Sequence, residues 1–160
     1  MSSLIRIMDD IETPARGAWP IRRNDTVVAT RSRGRRATHH GVTLGGMLFV
    51  DDSAADRHQI SLDVTVELDI GVLAFHSDHI EPTAGGTWDV RGRLIGHGVL
   101  VPQQAELQYR GVFQLADRAA AWLTLRARID LAAFGIAGSR RRQPLEVVAD
   151  LRADAPATQG

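Results

Sequence analysis

Phe75-His-Ser-Asp-His-Ile80, followed by Gly92-Arg-Leu94 and then by Gly98-Val99-Leu-Val-Pro102, sets short strands and a tight turn in a fixed order. Apolar and polar residues alternate on both sides of this stretch, which is typical of antiparallel strands with one buried face. Turn residues interrupt the alternation, for example at Gly96-His-Gly98. The stretch therefore predicts a series of β-hairpins.

The same period of two continues along most of the chain. Many strands with one apolar face and little helix predict an all-β fold, either a sandwich or a barrel. An eight-stranded barrel has an interior that can hold one small ligand. The last predicted strand closes an eight-stranded barrel if the first two predicted strands form one bent strand. The predicted strands lie at about 17–22, 25–31, 42–50, 60–69, 72–80, 87–95, 99–114 with a break near Pro102, 121–131 and 144–152.

Three segments need separate expectations. Residues 31–40 are polar and basic and are expected to form a loop. The stretch from Ala116 to Phe134 could be drawn as a helix, but the alternation after Trp122 favours a strand. We expect one domain, divided into an N-terminal arm (1–16), a barrel (17–152) and a flexible tail (153–160).

Composition excludes several classes of function. Basic and acidic residues both number 19, which argues against a general attraction to nucleic acid. The chain has no Cys, so disulfides, thiolate metal sites and thiol nucleophiles are excluded. The first 14 residues lack the features of a signal peptide, and no apolar run approaches the ~20 residues of a membrane helix. The sequence predicts a cytoplasmic protein without a membrane span.

The opening stretch resembles the signature of the YceI-like family, in which Phe-x-Ser leads to Gly-x-Leu-x-x-x-Gly-Val-x-x-Pro. The second run is present without a gap from Gly92 to Pro102. The family's opening strand, Gly-x-Trp-x-Ile, is matched from Gly17 to Ile21. The resemblance implies a bacterial, lipocalin-like antiparallel β-barrel of about eight strands that holds a polyisoprenoid chain. It carries no catalytic motif.

The chain departs from the family at one connection. Family members have a helical insertion before the Phe-x-Ser strand, whereas Asp69-Ile-Gly71-Val72 joins two strands almost directly here. We expect a tight hairpin at 69–72 and no helix longer than about two turns. One barrel mouth should therefore lack the family's helical cover, which implies a shallower or more open pocket.

Metal binding and hydrolysis are weighed against simpler interpretations. His76 and His79 stand three apart, so in a regular strand they face opposite sides and cannot share an ion without a bulge. Ser77, His79 and Asp63 could meet across strands as a hydrolytic triad. No Gly-x-Ser-x-Gly turn marks a nucleophile, however.

The Arg clusters 31–36 and 140–142 form the other candidate site. Arg pairs well with phosphate, so an anion site is one interpretation. Two solvated loops at the barrel rim are the favoured interpretation, because no aromatic residue is interleaved to stack on a base.

Apolar strand faces supply the candidate ligand-binding residues. Tyr109 is the expected polar contact inside the lumen, and His79 is the expected polar residue at the rim. The sequence predicts no catalytic residue, no cofactor and no metal. The expected lumen residues are Val64, Val66, Leu68, Phe75, Trp88, Val90, Leu94, Leu107, Tyr109, Phe113, Leu123 and Leu125.

The predicted function is non-catalytic binding or carriage of a hydrophobic ligand in the lumen, either isoprenoid-like, as the resemblance implies, or fatty. The expected partner is a hydrophobic small molecule or lipid and not a nucleic acid, and a homodimer is left open. Two alternatives remain, namely a protein–protein interaction or scaffold barrel with a filled lumen, and an enzyme of the lipocalin-like type. A filled lumen favours the scaffold, whereas an open cavity favours the carrier.

Overall fold

A computed structural model describes residues 14–32, 35–53, 57–116, 118–135 and 145–156. Short 3₁₀ helices occur at Ala84–Gly86 and Leu131–Phe134. No helix in these ranges is long and apolar enough to cross a membrane. The described strands are β1 (Gly17–Ile21), β2 (Asn24–Ser32), β3 (Arg35–Ser53), β4 (Arg57–Leu68), β5 (Gly71–Pro82), β6 (Thr87–Gly96), β7 (Val99–Leu115), β8 (Arg118–Ile129) and β9 (Leu145–Asp154).

The strands form one closed antiparallel ring. From β2 to β9 each strand pairs with the next along the chain, and β2 also pairs with β9. Strands β1 and β2 both pair with β3, at Ala18↔Phe49 and Val27↔His40, so they occupy one position as a single bent strand. The ring therefore has eight positions, and the predicted lipocalin-like antiparallel barrel is confirmed as the fold.

The predicted hairpins are also confirmed. Leu68 pairs with Gly71, which leaves a two-residue turn where the helical insertion was expected to be missing. Strand β5 runs antiparallel to β6 through residues 83–86. At the next turn His97 and Gly98 both have positive φ, +52° and +72°, as a type I′ hairpin turn requires. Residues 118–129 form a strand rather than the alternative helix.

The loop predicted at residues 31–40 is wrong. The described part of this segment continues β2 and β3, which pair up to Ser32↔Arg35. Strand β4 pairs with β3 only from Val42 onward, so the end of this hairpin has a neighbour on one side alone. The sequence of residues 31–40 lacks the alternation of apolar and polar residues on which the strand predictions relied, so it gave no signal for strands there. At the other terminus β9 extends to Asp154, two residues beyond the expected barrel boundary.

A bulge in β7 reverses the expected facing of one candidate residue. Tyr109 pairs with Leu123, but Gly111 pairs with Trp122, so one extra residue is accommodated between them. Phe113 is therefore carried to the outer face, where it is 40 % exposed and packs against Trp122 at a ring-centroid distance of 4.4 Å. Its prediction as a lumen residue is wrong.

Inward-facing residues fill most of the barrel. Trp88 is only 1 % exposed and stacks on Tyr109 with ring centroids 5.4 Å apart. Leu107 and Leu123 are fully buried beside them. Trp19 donates its indole N–H to the Ala15 carbonyl at 2.8 Å. These contacts make the half of the lumen nearest the β5–β6 and β7–β8 turns a packed aromatic and aliphatic core.

Replacing Trp88 by Ala should lower the free energy of unfolding by ~3–5 kcal/mol, because a buried ring in a packed core leaves a cavity. Urea denaturation followed by circular dichroism measures this change. Phe49→Ala is the matched control, since Phe49 is 48 % exposed on the outer face and should cost about 1 kcal/mol or less. Equal costs for the two variants would contradict the assigned facing of β6.

Candidate functional site

The strand pairing in the barrel wall is interrupted between β7 and β8. Their pairing ends at Ala105↔Ala127, although β7 begins six residues earlier at Val99. Residues 99–104 pair with β6 alone, so within the described residues one edge of this segment has no paired strand. Pro102 lies in the segment, and proline is tolerated at such an edge because it has no N–H to donate. We call residues 99–104, which are paired along one edge alone, the seam.

One side chain bridges the seam. Gln103 donates from its amide nitrogen to the Arg128 carbonyl at 2.8 Å and to the Gln104 carbonyl at 2.8 Å. It thereby ties β7 to the end of β8 where the backbone ladder is absent. Such side-chain bonds contribute about 1 kcal/mol each, so the closure is weak compared with a continuous ladder.

A second parting of the wall, between β4 and β5, is sealed differently. Their pairing ends at Asp63↔His76. Beyond it, the buried Ser77 hydroxyl accepts a hydrogen bond from the Leu62 backbone N–H at 2.7 Å. Inside the same wall, the ring of Phe75 lies against Gly92, where an added Cβ would come within 2.8 Å of the ring. The hydrogen bond that joins β4 to β5 is therefore buried, whereas the Gln103 bond that joins β7 to β8 is exposed.

An apolar cavity lies inside the barrel next to the seam. Its volume is about 30 Å³, close to the volume that one molecule occupies in liquid water. Gln103 is the one polar side chain among the described residues of its wall. The lining residues are Val64, Val66, Phe75, Leu94, Gln103, Ala105, Leu125, Ala127, Ile129 and Val147.

An open groove of about 980 Å³ lies on the other side of the seam. Gln103, Ala105 and Ala127 line both the groove and the cavity, so the two spaces adjoin at these residues. The groove crosses strands β5 to β9 and carries charges of both signs. Its acidic and basic residues are Glu81, Asp89, Glu106, Asp130, Glu146, His79, Arg91, Arg126 and Arg128.

The structure divides the expected lumen residues into groups. Val64, Val66, Phe75, Leu94 and Leu125 line the cavity. Leu68, Trp88, Leu107, Tyr109 and Leu123 are buried but line neither space, and the buried Val90 lines the groove. The expected rim residue His79 is exposed in the groove. Whether these residues bind a ligand remains a prediction.

Sequence reasoning missed half of the cavity wall. Ala105 and Ala127 belong to alternating strands but were not selected, although two small side chains facing each other leave space between strands. Gln103 was missed because it follows Pro102 in a strand expected to break there. Ile129 and Val147 lie near strand ends whose offset is not visible in the sequence.

A β-bulge at Asp78 changes the direction in which the two histidines face. Ser77 pairs with Gly92 and His79 pairs with Arg91, so Asp78 is the extra residue. His76 and His79 consequently both face outward, contrary to the expectation for a regular strand. No group of three or more His, Asp or Glu that could hold a metal ion occurs within the described ranges.

The hydrolytic arrangement considered from the sequence does not assemble. Asp63 bonds to His76 on the outer surface, whereas the buried Ser77 hydroxyl is engaged by the Leu62 amide. His79 stands in the groove, on the outer side of the wall. The three groups therefore do not form a proton relay.

The described parts of the Arg clusters allow only a backbone statement. Arg31, Arg35 and Arg36 belong to β2 and β3 rather than to a loop. Residues 140–142 lie outside the described ranges. The anion-site interpretation stays a prediction.

Two solved structures share this fold. One is a mutant CJ YceI protein with a monobromobimane guest, with a TM-score of 0.55 and 17 % identity, covering 79 % of this chain and 94 % of that one. The other is BcnA of Burkholderia cenocepacia, with a TM-score of 0.50 and 17 % identity, covering 82 % of this chain and 96 % of that one. No family model and no curated protein matches the chain. The predicted resemblance to the YceI barrel is thus confirmed for the fold.

The ionisation of Tyr109 can be measured and tests the packed half of the lumen. Its hydroxyl is buried without a hydrogen-bond partner among the described residues, and burial raises its pKa from 10.0 to about 12. It is the only Tyr in the chain, so absorbance at 295 nm reports its ionisation alone. We expect the native protein to titrate near 12 in this experiment, and a midpoint near 10 would contradict the burial.

The same shift predicts how stability depends on pH. Because the native pKa is raised, the unfolded state loses its proton first, and stability is complete below pH 10 and falls towards pH 12. The loss should be about 2–3 kcal/mol, and Tyr109→Phe should remove this component in urea titrations. At pH 7 the variant should be as stable as the parent protein or more so, because it removes an unpaired hydroxyl. A large destabilisation at pH 7 would show that the hydroxyl has a partner.

Proposed function

We propose that this protein binds a hydrophobic ligand, isoprenoid-like or fatty, without catalysis, at the seam between the cavity and the groove. The observation that carries the proposal is the shared wall: Gln103, Ala105 and Ala127 line both a small apolar cavity and an open groove, at the point where the β7–β8 ladder ends. The apolar end of a ligand can therefore reach the interior most easily at this place.

The volumes of the cavity and the groove determine where such a ligand can be accommodated. Micromolar affinity corresponds to about −8 kcal/mol, and each CH₂ that leaves water contributes ~0.8 kcal/mol. On the order of ten CH₂ groups must then be covered, and more once ordering costs are included. A cavity of about 30 Å³ cannot hold them. In the proposal most of the chain lies in the groove, and its end enters the cavity as Gln103 releases Arg128.

The residues at the site support binding rather than chemistry. Apolar side chains surround the cavity, and Gln103, the polar member among the described lining residues, is occupied with backbone carbonyls. We further propose membership of the YceI-like group and a cytoplasmic location, both of which rest on the sequence. A homodimer remains an open expectation.

A scaffold barrel is the second candidate, and one observation favours it. The lumen is nearly filled, while several large apolar side chains are exposed on the outer wall. A barrel of this kind would bind a partner protein through its surface and take no ligand. Detergent-free native mass spectrometry separates the two candidates, since only a carrier retains a small apolar mass.

Replacing Ala127 by Leu should close the cavity and the adjoining part of the groove. We expect the affinity for farnesol or dodecanoate, measured by isothermal titration calorimetry, to fall by about tenfold or more, because about three methylene equivalents of space are lost. Overpacking should lower stability by ~1–3 kcal/mol at most. Ala18→Leu is the matched control, because Ala18 lies on the outer face of β1, away from the seam.

Two results would overturn the proposal. If the parent protein binds neither ligand, the filled-barrel scaffold replaces the carrier. If Ala127→Leu binds as well as the parent protein, the ligand lies elsewhere and the seam is not the site.

A further inference from the structure

Three large apolar side chains are exposed together at one end of the barrel. Val72, Ile95 and Leu100 are 48 %, 44 % and 52 % exposed. Ile95 pairs with both Ala74 and Leu100, and Val72 precedes Ala74 on the same face of β5. We call these three residues the apolar tip, because they stand beside the two turns at residues 69–70 and 97–98.

The apolar tip is continuous with the seam. Leu100 is part of the unpaired segment 99–104, two residues before Pro102 in the groove wall. An apolar molecule leaving the groove at this end therefore meets Leu100 and Ile95 before it meets water.

The strand order brings basic residues to the same end. Strand β2 ends beside the start of β9 at Thr30↔Leu145, and the start of β9 lies beside the end of β8 at Ile129. The end of β8 and the start of β7 lie at the end of the barrel that carries the apolar tip. The hairpin formed by β2 and β3 thus carries Arg31, Arg35 and Arg36 to that end. Glu67, which pairs with Val72, and Asp69 in the adjoining turn add negative charge at the same end.

We propose that this end of the barrel docks on an anionic lipid bilayer. The apolar tip enters the boundary between head groups and acyl chains, and the β2–β3 hairpin, whose sequence carries Arg31, Arg35 and Arg36, lies at the membrane surface. The combination of a small apolar patch and basic residues at the same end of the barrel is what an anionic bilayer surface recognises. Three half-exposed side chains are too few for a stable protein interface, which covers about 800 Å² on each partner.

This inference rests on the proposed function for its purpose, since a carrier of apolar ligands must meet the membrane that holds them. Docking places the seam against the bilayer, so the ligand need not cross water. The docking assay itself uses no ligand. Failure of vesicle binding with intact ligand binding would therefore reject the docking alone, and the reverse result would reject the ligand site alone.

Flotation of the full chain with vesicles tests the inference. The vesicles contain phosphatidylcholine alone, or phosphatidylcholine with about 30 % phosphatidylglycerol. We expect binding to the anionic vesicles that weakens with added salt. Ile95→Thr with Leu100→Thr should reduce the partition coefficient about tenfold or more. Phe49→Thr is the matched control, because Phe49 is equally exposed at the opposite end of β3, and it should leave binding unchanged.

A second variant tests the electrostatic part. Arg35→Gln with Arg36→Gln should lower binding to anionic vesicles about thirtyfold and leave binding to neutral vesicles unchanged. The inference is overturned if the parent protein does not float with anionic vesicles, or if Phe49→Thr weakens binding as much as the double threonine variant. It is also overturned if the parent protein is a dimer by light scattering that the double threonine variant converts to a non-binding monomer, since a second copy then occupies the tip.

Discussion

Closing a sheet into a ring requires every strand to have a hydrogen-bonded neighbour on both sides, and the organisation of this protein follows from where that requirement is not met. A closed barrel has no edge, so its backbone groups are satisfied by pairing alone. In this chain the ring closes because β2 pairs with both β3 and β9. Offsets between neighbouring strands then part the wall beyond Asp63↔His76 and beyond Ala105↔Ala127.

The two partings have different consequences because different side chains fill them. At the first, the Ser77 hydroxyl accepts a buried hydrogen bond from the Leu62 amide. At the second, Gln103 reaches across to Arg128 from a half-exposed position. The aromatic packing of Trp88 lies in the other half of the lumen. The cavity, the weak side-chain closure and the open groove therefore lie together at the seam.

The sequence predicts this fold well wherever burial alternates locally. The strand ending at Leu68, the turn that follows it and the hairpin at Gly98 all carry their signals within a few residues. The hairpin through residues 31–40 does not, because its sequence is polar and basic and does not alternate. The bulge that exposes Phe113 had a signal in Gly111, since glycine inside a strand often marks such a site.

The candidate site was less predictable than the fold because it depends on relations between distant strands. Alternation shows that Leu125 and Val66 face inward, but the offset between β7 and β8 decides which inward residues surround empty space. Ala105 and Ala127 matter because they face each other at the last rung of a ladder. Their importance cannot be read from either strand alone.

Residue-resolved hydrogen exchange by NMR tests most directly whether the barrel opens at the seam. The account predicts that amides of residues 99–101, 103–104 and 128–129 exchange about a hundredfold or more faster than those of Leu107, Leu123 and Leu151 in the packed half, because local opening there breaks few bonds. Adding farnesol should slow exchange at the seam and leave the packed half unchanged. Uniformly slow exchange around the whole ring, with or without farnesol, would contradict an opening at this position.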